Sequence, residues 1–194
     1  MAKTLTKKQQ THLRMLEAAS SSFRANGYAG IGVDGIAKAA GVTSGAFYAH
    51  FGSKNGAFDA ALKAGLDEVI AAIPVFRRDH GIKWVAAFAE YYLGQPHRDD
   101  LATGCAMTTL SPEVVRAKSE IHVVYEEKMA KIAGLIADGL AGGTPEARRS
   151  RAWAMLSTLI GGLTTARAIE TLALAEEIAS SVRAAAVAVA GKAA

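Results

Sequence analysis

Small and hydroxylated residues lie beside aromatic and basic ones in residues 37–54, at spacings suited to contact with a nucleic acid. Ala37 and, four residues later, Gly41 would let two short helices approach closely and turn sharply. The second helix would then begin with small side chains, which let its backbone come near the bases of a major groove. The four residues at that helix start are Thr43, Ser44, Gly45 and Ala46.

Larger side chains that could bind phosphate follow the small ones. Tyr48, His50 and Lys54 could reach the DNA backbone beside the groove, and Ser53 begins the next predicted helix. A helix N-terminus adds backbone N–H groups and the positive end of the helix dipole. The spacing therefore predicts a DNA-binding helix-turn-helix at about residues 33–52. A purely structural or protein-binding helix-turn-helix is the alternative.

Positive charge is concentrated in the same part of the chain. Residues 1–56 contain seven Lys and Arg against two Asp and Glu, whereas the remaining residues contain 15 and 16. A local basic excess favours a polyanionic partner, either a nucleic acid or an anionic membrane surface. A basic face that is merely solvated is the alternative, and charge alone does not distinguish these cases.

Hydrophobic periodicity predicts an all-α protein, because alternating runs are missing and apolar residues recur at helical spacing. A DNA-binding domain at residues 1–56 and a second helical domain at 57–194 would share the helix at 53–72, which Pro74 should end. The predicted helices are 5–25, 33–40, 44–50, 53–72, 82–93, 120–140, 145–169 and 174–190, with a loop at 94–104 and a helix start at Ser111.

The segment from Ile36 to Lys54 follows the pattern IAxxAGVTxGxxYxHFxSK, which resembles the DNA-binding region of the tetracycline-repressor (TetR) family of transcription regulators. The similarity extends over about residues 8–70. It implies an all-α homodimer with an N-terminal helix-turn-helix domain and a C-terminal domain for ligand binding and dimerisation. It also implies that residues 43–46 face bases and that Tyr48, His50 and Lys54 contact phosphates. Gly32 departs from the family, which usually has a capping Ser or Thr there, and Ala46 limits direct base readout.

Aromatic residues and methionines are concentrated in the middle of the chain, and no aromatic residue follows Trp153. Helices that carry them could surround an apolar cavity with a few polar groups, as small-molecule sites often do. An ordinary filled core is the alternative. The predicted ligand-pocket residues are Trp84, Phe88, Tyr92, Met107, Tyr125, Met129 and Trp153.

The last two predicted helices are rich in small residues, which allow helices to pack closely. Together with the family resemblance, this composition predicts a two-fold dimer in which these helices pair with their copies as a four-helix bundle. Packing within one chain is the alternative. The predicted interface residues are Ala154, Ser157, Thr158, Gly161, Gly162 and Thr165.

Cys105 is the single cysteine of the chain, so an internal disulfide and a multi-cysteine zinc site are excluded. It lies in a Gly-Cys pair similar to one in several family members, some of which sense oxidants or electrophiles through that cysteine. A reactive thiol needs nearby positive charge and partial exposure, and no basic residue is adjacent in sequence. A buried packing role is the alternative.

Several other classes of function lack support in the sequence. Residues 30–35 fit GxGxxG, but a helix precedes them and no strand follows, which argues against a dinucleotide site. We find no catalytic constellation, so we expect neither an enzyme nor a cofactor or metal. No apolar run spans 18 residues and no signal peptide is recognisable, so we expect a cytoplasmic protein without a membrane partner.

These observations predict a regulator that binds a palindromic operator in double-stranded DNA, acts as a repressor and is released by an apolar small molecule. One alternative is a thiol-based redox or electrophile sensor that acts through Cys105. Another is an all-α small-molecule carrier that does not bind DNA.

Overall fold

The computed structural model describes residues 5–194, which form an all-α fold and confirm the predicted fold class. The first domain prediction also includes residues 1–4, which lie outside the described residues. None of the helices in 5–194 is long and apolar enough to cross a membrane. The helices are α1 (Lys7–Asn26), α2 (Val33–Ala39), α3 (Ser44–Phe51), α4 (Lys54–His80), α5 (Trp84–Leu93), α6 (Gln95–Asp99), α7 (Ala106–Thr109), α8 (Ser111–Val114), α9 (Ser119–Ala137), α10 (Pro145–Arg167) and α11 (Leu172–Ala190).

Helices α1 to α3 form a small bundle around an aromatic and aliphatic core. Helix α1 begins with a capping box, in which the Thr6 hydroxyl accepts from the backbone N–H of Gln9 and the Gln9 side chain accepts from the backbone N–H of Thr6. The helix is capped at its end by Gly27. Apolar residues of all three helices are fully buried, among them Phe23, Ile36 and Phe47. This compact bundle holds α2 and α3 in a fixed relative position.

Helix α4 is longer than predicted, because it continues through Pro74 to His80. Proline removes one intrahelical hydrogen bond and usually bends or ends a helix. Here tertiary contacts hold the segment beyond it. The Phe76 ring lies 5.3 Å from that of Phe88, and the Arg77 guanidinium donates to the carbonyl of Asp138 at 3.2 Å. These contacts keep the segment after Pro74 helical, although the proline alone predicts that the helix ends there.

Helices α5 and α9 pack against α4, and α10 and α11 pack against each other and against α9 and α5, respectively. Trp84 is fully buried, and its indole N–H donates to the carbonyl of Gly139 at 3.1 Å. Gly162 brings α10 onto α11, since a Cβ there would lie 2.3 Å from a methyl group of Val182. The predicted loop at 94–104 contains α6, and the predicted helix at Ser111 lasts a single turn.

Candidate DNA-binding surface and regulatory cavities

The turn between α2 and α3 has the geometry that its sequence predicts. Gly41 has a φ of +65°, a conformation that side chains disfavour, and a Cβ there would meet no neighbour. The Val42 N–H donates to the carbonyl of Ala37 at 3.0 Å, which ties the turn to the end of α2. Phe47 then anchors α3 in the core with no exposed surface. The start of α3 is therefore held rigidly at the surface.

Both hydroxyl groups at the start of α3 are already hydrogen-bonded within the protein. The Thr43 hydroxyl caps the helix by accepting from the Ala46 N–H at 3.2 Å, and the Ser44 hydroxyl donates to the carboxylate of Asp34 at 2.5 Å. Asp34 lies in the first turn of α2, so this bond fixes the angle between the two helices. Gly45 is exposed and Ala46 half-buried. The surface therefore offers shape and backbone more than free hydroxyl groups.

The three predicted phosphate contacts differ in how the protein holds them. Tyr48 is 52% exposed, so its hydroxyl group is free to meet a ligand. His50 is half-buried and stacks on His12 of α1 at 5.5 Å between ring centroids. The Lys54 ammonium lies 4.4 Å from the ring centroid of Tyr28, a cation–π contact that orients it.

The first turn of α4 lies beside these side chains. The Ser53 hydroxyl caps it by accepting from the Gly56 N–H at 3.0 Å. The first turn contains no acidic residue, so the positive end of the helix dipole is not neutralised there. Lys54 is the first residue of α4, and its charge adds to that end. Together these groups form a positive edge next to α3.

The predicted ligand-pocket residues do not surround one cavity. Trp84 and Met107 are fully buried in the core, and Trp84 fills its space. Phe88 and Tyr92 border a cavity of about 90 Å³ that Cys105 also lines. The other three line an open groove of about 680 Å³ between α9 and α10. Those groove residues are Tyr125, Met129 and Trp153.

The groove between α9 and α10 combines aromatic walls with a few polar groups. The Tyr125 hydroxyl is hydrogen-bonded to the Ser111 hydroxyl at 2.6 Å, and burial raises the pKa of Tyr125. The Arg149 guanidinium lies 5.9 Å from the ring centroid of Trp153. Ser157 and Gly161, two predicted dimer residues, also line this groove.

The predicted dimer residues divide between two faces of α10. Ser157, Gly161 and Thr165 are exposed, and a Cβ on Gly161 would meet no neighbour. Ala154 and Thr158 are half-buried, and the Thr158 hydroxyl donates to the Ala154 carbonyl at 2.8 Å.

Gly162, in contrast, is buried against Val182 of α11 in the same chain. Its small size is therefore explained by packing within one chain.

Cys105 lies just before α7 in a polar, half-buried cluster. Its backbone N–H donates to Nε2 of His97 at 2.9 Å, and Arg167 donates to the carbonyl of His97. Burial raises the pKa of the Cys105 thiol, which lowers the fraction of reactive thiolate. Gly104 makes room for the Arg167 guanidinium, because a Cβ would lie 2.5 Å from its Nη2 atom. This environment favours the packing interpretation of Cys105.

The sequence did not predict an ion pair that joins α1 to α4. Arg24 is 9% exposed and pairs with Glu68 of α4 at 2.9 Å. Gly65 leaves space for two neighbours. A Cβ there would lie 2.7 Å from Nη2 of Arg24 and 2.6 Å from the Cβ of Ala106. A basic residue at the end of an otherwise apolar helix stripe was the only signal.

Within residues 5–194, no three His, Cys, Asp or Glu side chains are grouped as metal ligands.

Comparisons with known proteins agree with this geometry. The family model of bacterial regulatory proteins of the tetR family matches residues 15–61. A TetR-family transcriptional regulator from Cytophaga hutchinsonii is 17% identical, covers 95% of this chain and 96% of its own, and superposes with a TM-score of 0.75. The regulator from Agrobacterium tumefaciens is also 17% identical, with coverages of 92% and 98% and a TM-score of 0.76.

The reduced form of NemR from E. coli is 19% identical, with coverages of 89% and 95% and a TM-score of 0.73. At such identities these structures show a shared fold. The curated proteins contain no match to the chain. The whole chain shares the fold of these regulators, and the family model matches the part that contains the helix-turn-helix. Residues 15–61 are thus similar to bacterial regulatory proteins of the tetR family.

Proposed function

We propose that this regulator binds a palindromic operator as a homodimer, represses transcription there and is released by an apolar small molecule. In each copy, α3 would enter a major groove with Thr43, Ser44, Gly45 and Ala46 toward the bases. Tyr48, His50 and Lys54 would contact the flanking phosphates. The observation that carries this proposal is the positive edge at the start of α4, where Tyr28 holds Lys54 beside the exposed end of α3.

Replacing Lys54 tests the phosphate contact. Binding of Lys54→Ala to duplex DNA from the flank of its own coding region should be weaker for all sequences, and the slope of log K against log salt should fall by about 1. Lys131→Ala is the matched control, because Lys131 is an exposed lysine on α9, away from α3. Equal slopes for wild type and Lys54→Ala in a fluorescence-anisotropy titration would contradict the assignment.

The dimer proposal rests on the exposed stripe of α10 and the adjacent end of α11. Ser157, Gly161 and Thr165 lie on this stripe, and Leu172 and Leu174 are 70% and 43% exposed. The Thr165 hydroxyl donates to the Gly161 carbonyl at 2.9 Å, so the stripe carries few free polar groups. Pairing with a second copy would bury it and would place two α3 helices for half-sites about one DNA turn apart.

A charge on this stripe should prevent the pairing. We expect Gly161→Arg to sediment as a single subunit in analytical ultracentrifugation, because an arginine would have to be buried against its own copy. Glu127→Arg adds the same side chain at an exposed position of α9 and should leave the dimer intact. A Gly161→Arg protein that remains a dimer would refute this interface.

The groove between α9 and α10 is the better-sized candidate for the ligand. Its volume of about 680 Å³ suits a drug-sized molecule, whereas the cavity beside Cys105 holds about 90 Å³. A second copy over α10 would also cover its open side. Ligand binding would favour one position of α4 over another and so shift the population that fits the operator. Redox sensing by Cys105 is less favoured, since burial raises the pKa of its thiol and so lowers the fraction of thiolate.

A further inference from the structure

A separate cavity of about 540 Å³ lies between the DNA-binding domain and the second domain. We call it the interdomain cleft. Tyr28, Asn55 and Phe58 form one wall, and the segment from α8 to α9 forms the other with Glu113, Ala117 and Ile121. None of the predicted ligand-pocket residues lines it. The two walls belong to the two parts of the molecule whose relative position decides how α3 is presented.

The interior of the cleft is largely apolar, and its charged side chains are exposed at the rim except for those of Glu113 and Asp59, which are half-buried. Tyr28 and Phe58 pack edge to face with ring centroids 5.4 Å apart, and Phe58 is only 3% exposed. Arg116, Lys118 and Glu120 line the cleft but are exposed, so water solvates their charges. An anionic ligand would lose its hydration there and would meet the carboxylates of Glu113 and Asp59.

Asn55 provides an uncharged hydrogen-bond donor at the cleft wall. The Tyr28 hydroxyl donates to Oδ1 of Asn55, which leaves the amide nitrogen of Asn55 to donate to a ligand oxygen. Asp59, also in the lining, is paired through Oδ2 with Lys63 at 2.6 Å, and its buried Oδ1 has no hydrogen-bond partner. The Asn55 donor suits a carbonyl or ether oxygen.

We propose that the interdomain cleft is an effector site for an uncharged, mainly apolar molecule with a carbonyl or ether oxygen. Its size matches a drug-sized ligand, and domain interfaces are common places for such sites. An occupant would touch both walls and so fix the angle between them. It would also press on the Tyr28 ring, which carries the Lys54 ammonium at 4.4 Å. The effect on DNA rests on the proposed function above.

Nile red, an uncharged fluorescent dye with a carbonyl group, is the probe for the site. Wild-type full-length protein should bind it saturably, and Ala117→Trp, which fills the cleft, should weaken binding at least about tenfold. Val123→Trp is the matched control on the exposed face of α9, since Val123 is 64% exposed. Ala130→Trp instead fills the groove between α9 and α10. Val123→Trp should bind the dye within about twofold of wild type, and Ala130→Trp should keep the saturable binding that Ala117→Trp weakens.

The proposal would be overturned if wild type bound no dye saturably, or if Ala117→Trp bound it with unchanged affinity. Loss of binding in Ala130→Trp alone would assign the dye to the groove and overturn it as well. Ala117→Leu is a smaller filling that should reduce affinity in the same direction if Ala117→Trp fails to fold, as circular dichroism would reveal.

DNA affinity measured with and without the dye tests the coupling. Dye should change the affinity of wild type several-fold and leave that of Ala117→Trp unchanged, whereas equal effects on both proteins would refute the coupling. If wild type binds no DNA, the proposed function fails while the dye result still decides whether the cleft is a site.

Discussion

The helix-turn-helix and the cluster around Cys105 satisfy their polar groups in different ways. In the helix-turn-helix, partners are close in sequence: Thr43 bonds three residues ahead, and Ser44 bonds Asp34 ten residues back. Around Cys105, Arg167 reaches His97 across 70 residues. The first region is thus specified locally and keeps its shape for DNA. The second depends on the whole tertiary arrangement, so substitutions there should act on folding first.

Two glycines give the largest expected contrast between these regions. Gly104→Ala should lower the free energy of unfolding by about 1–3 kcal/mol, because the added Cβ would press on Arg167 and lie 3.0 Å from the Asp100 carbonyl. Gly45→Ala should change stability by less than about 0.5 kcal/mol, since its nearest neighbour would be 3.8 Å away, yet should weaken DNA binding. Urea unfolding and anisotropy titrations measure both; a neutral Gly104→Ala would break the comparison.

A second pair of glycines tests close packing within α10. The Cβ of Gly162→Ala would lie 2.3 Å from a Val182 methyl group, which outweighs the gain of up to about 1 kcal/mol in helix propensity. We expect a net loss of about 1 kcal/mol in unfolding free energy. Gly161→Ala meets open space and should be neutral or stabilising in the single subunit. The opposite order of melting temperatures would contradict the assignment of Gly162 to packing within one chain.

A double-mutant cycle tests the hydrogen bond from Ser44 to Asp34 within the helix-turn-helix. Ser44→Ala should cost about 0.5–1 kcal/mol of unfolding free energy, because the bond is partly exposed. Asp34→Ala should have a similar effect, and the double variant should cost no more than either single one. Additive losses in this double-mutant cycle would show that the two side chains do not depend on each other.

His97 should give the smallest effect, visible only against pH. Burial and the nearby Arg167 lower its pKa, so the folded protein keeps it neutral where an unfolded chain takes up a proton. Its contribution to stability is therefore complete above pH ~6.5 and declines as the pH falls below that value, by a fraction of ~1.4 kcal/mol per pH unit. His97→Gln should flatten this decline, whereas His122→Gln, at an exposed site, should not. If the unfolding free energy of wild type and His97→Gln depended on pH with the same slope, His97 would not contribute to the pH dependence of stability.

Sequence predicts the helix-turn-helix well because its signals are local. The Gly41 turn, the Thr43 cap and buried Phe47 lie within seven residues and need no distant partner. The continuation of α4 beyond Pro74 was not predictable, because contacts to α5 and to the end of α9 hold it. The interdomain cleft was not predicted, and the predicted pocket residues divide between a groove, a small cavity and the core, because periodicity identifies buried faces but not the gaps between them.

The length of α4 has a mechanical consequence. Its 27 residues form one rod about 40 Å long, with Lys54 at one end and His80 at the other. A tilt of about 5° around the far end would carry Lys54 through about 3.5 Å, more than the length of a hydrogen bond. In a symmetric dimer the displacements of the two copies would add. A rotation too small to disturb the core could therefore change the distance between the two α3 helices enough to mismatch the two half-sites on the DNA.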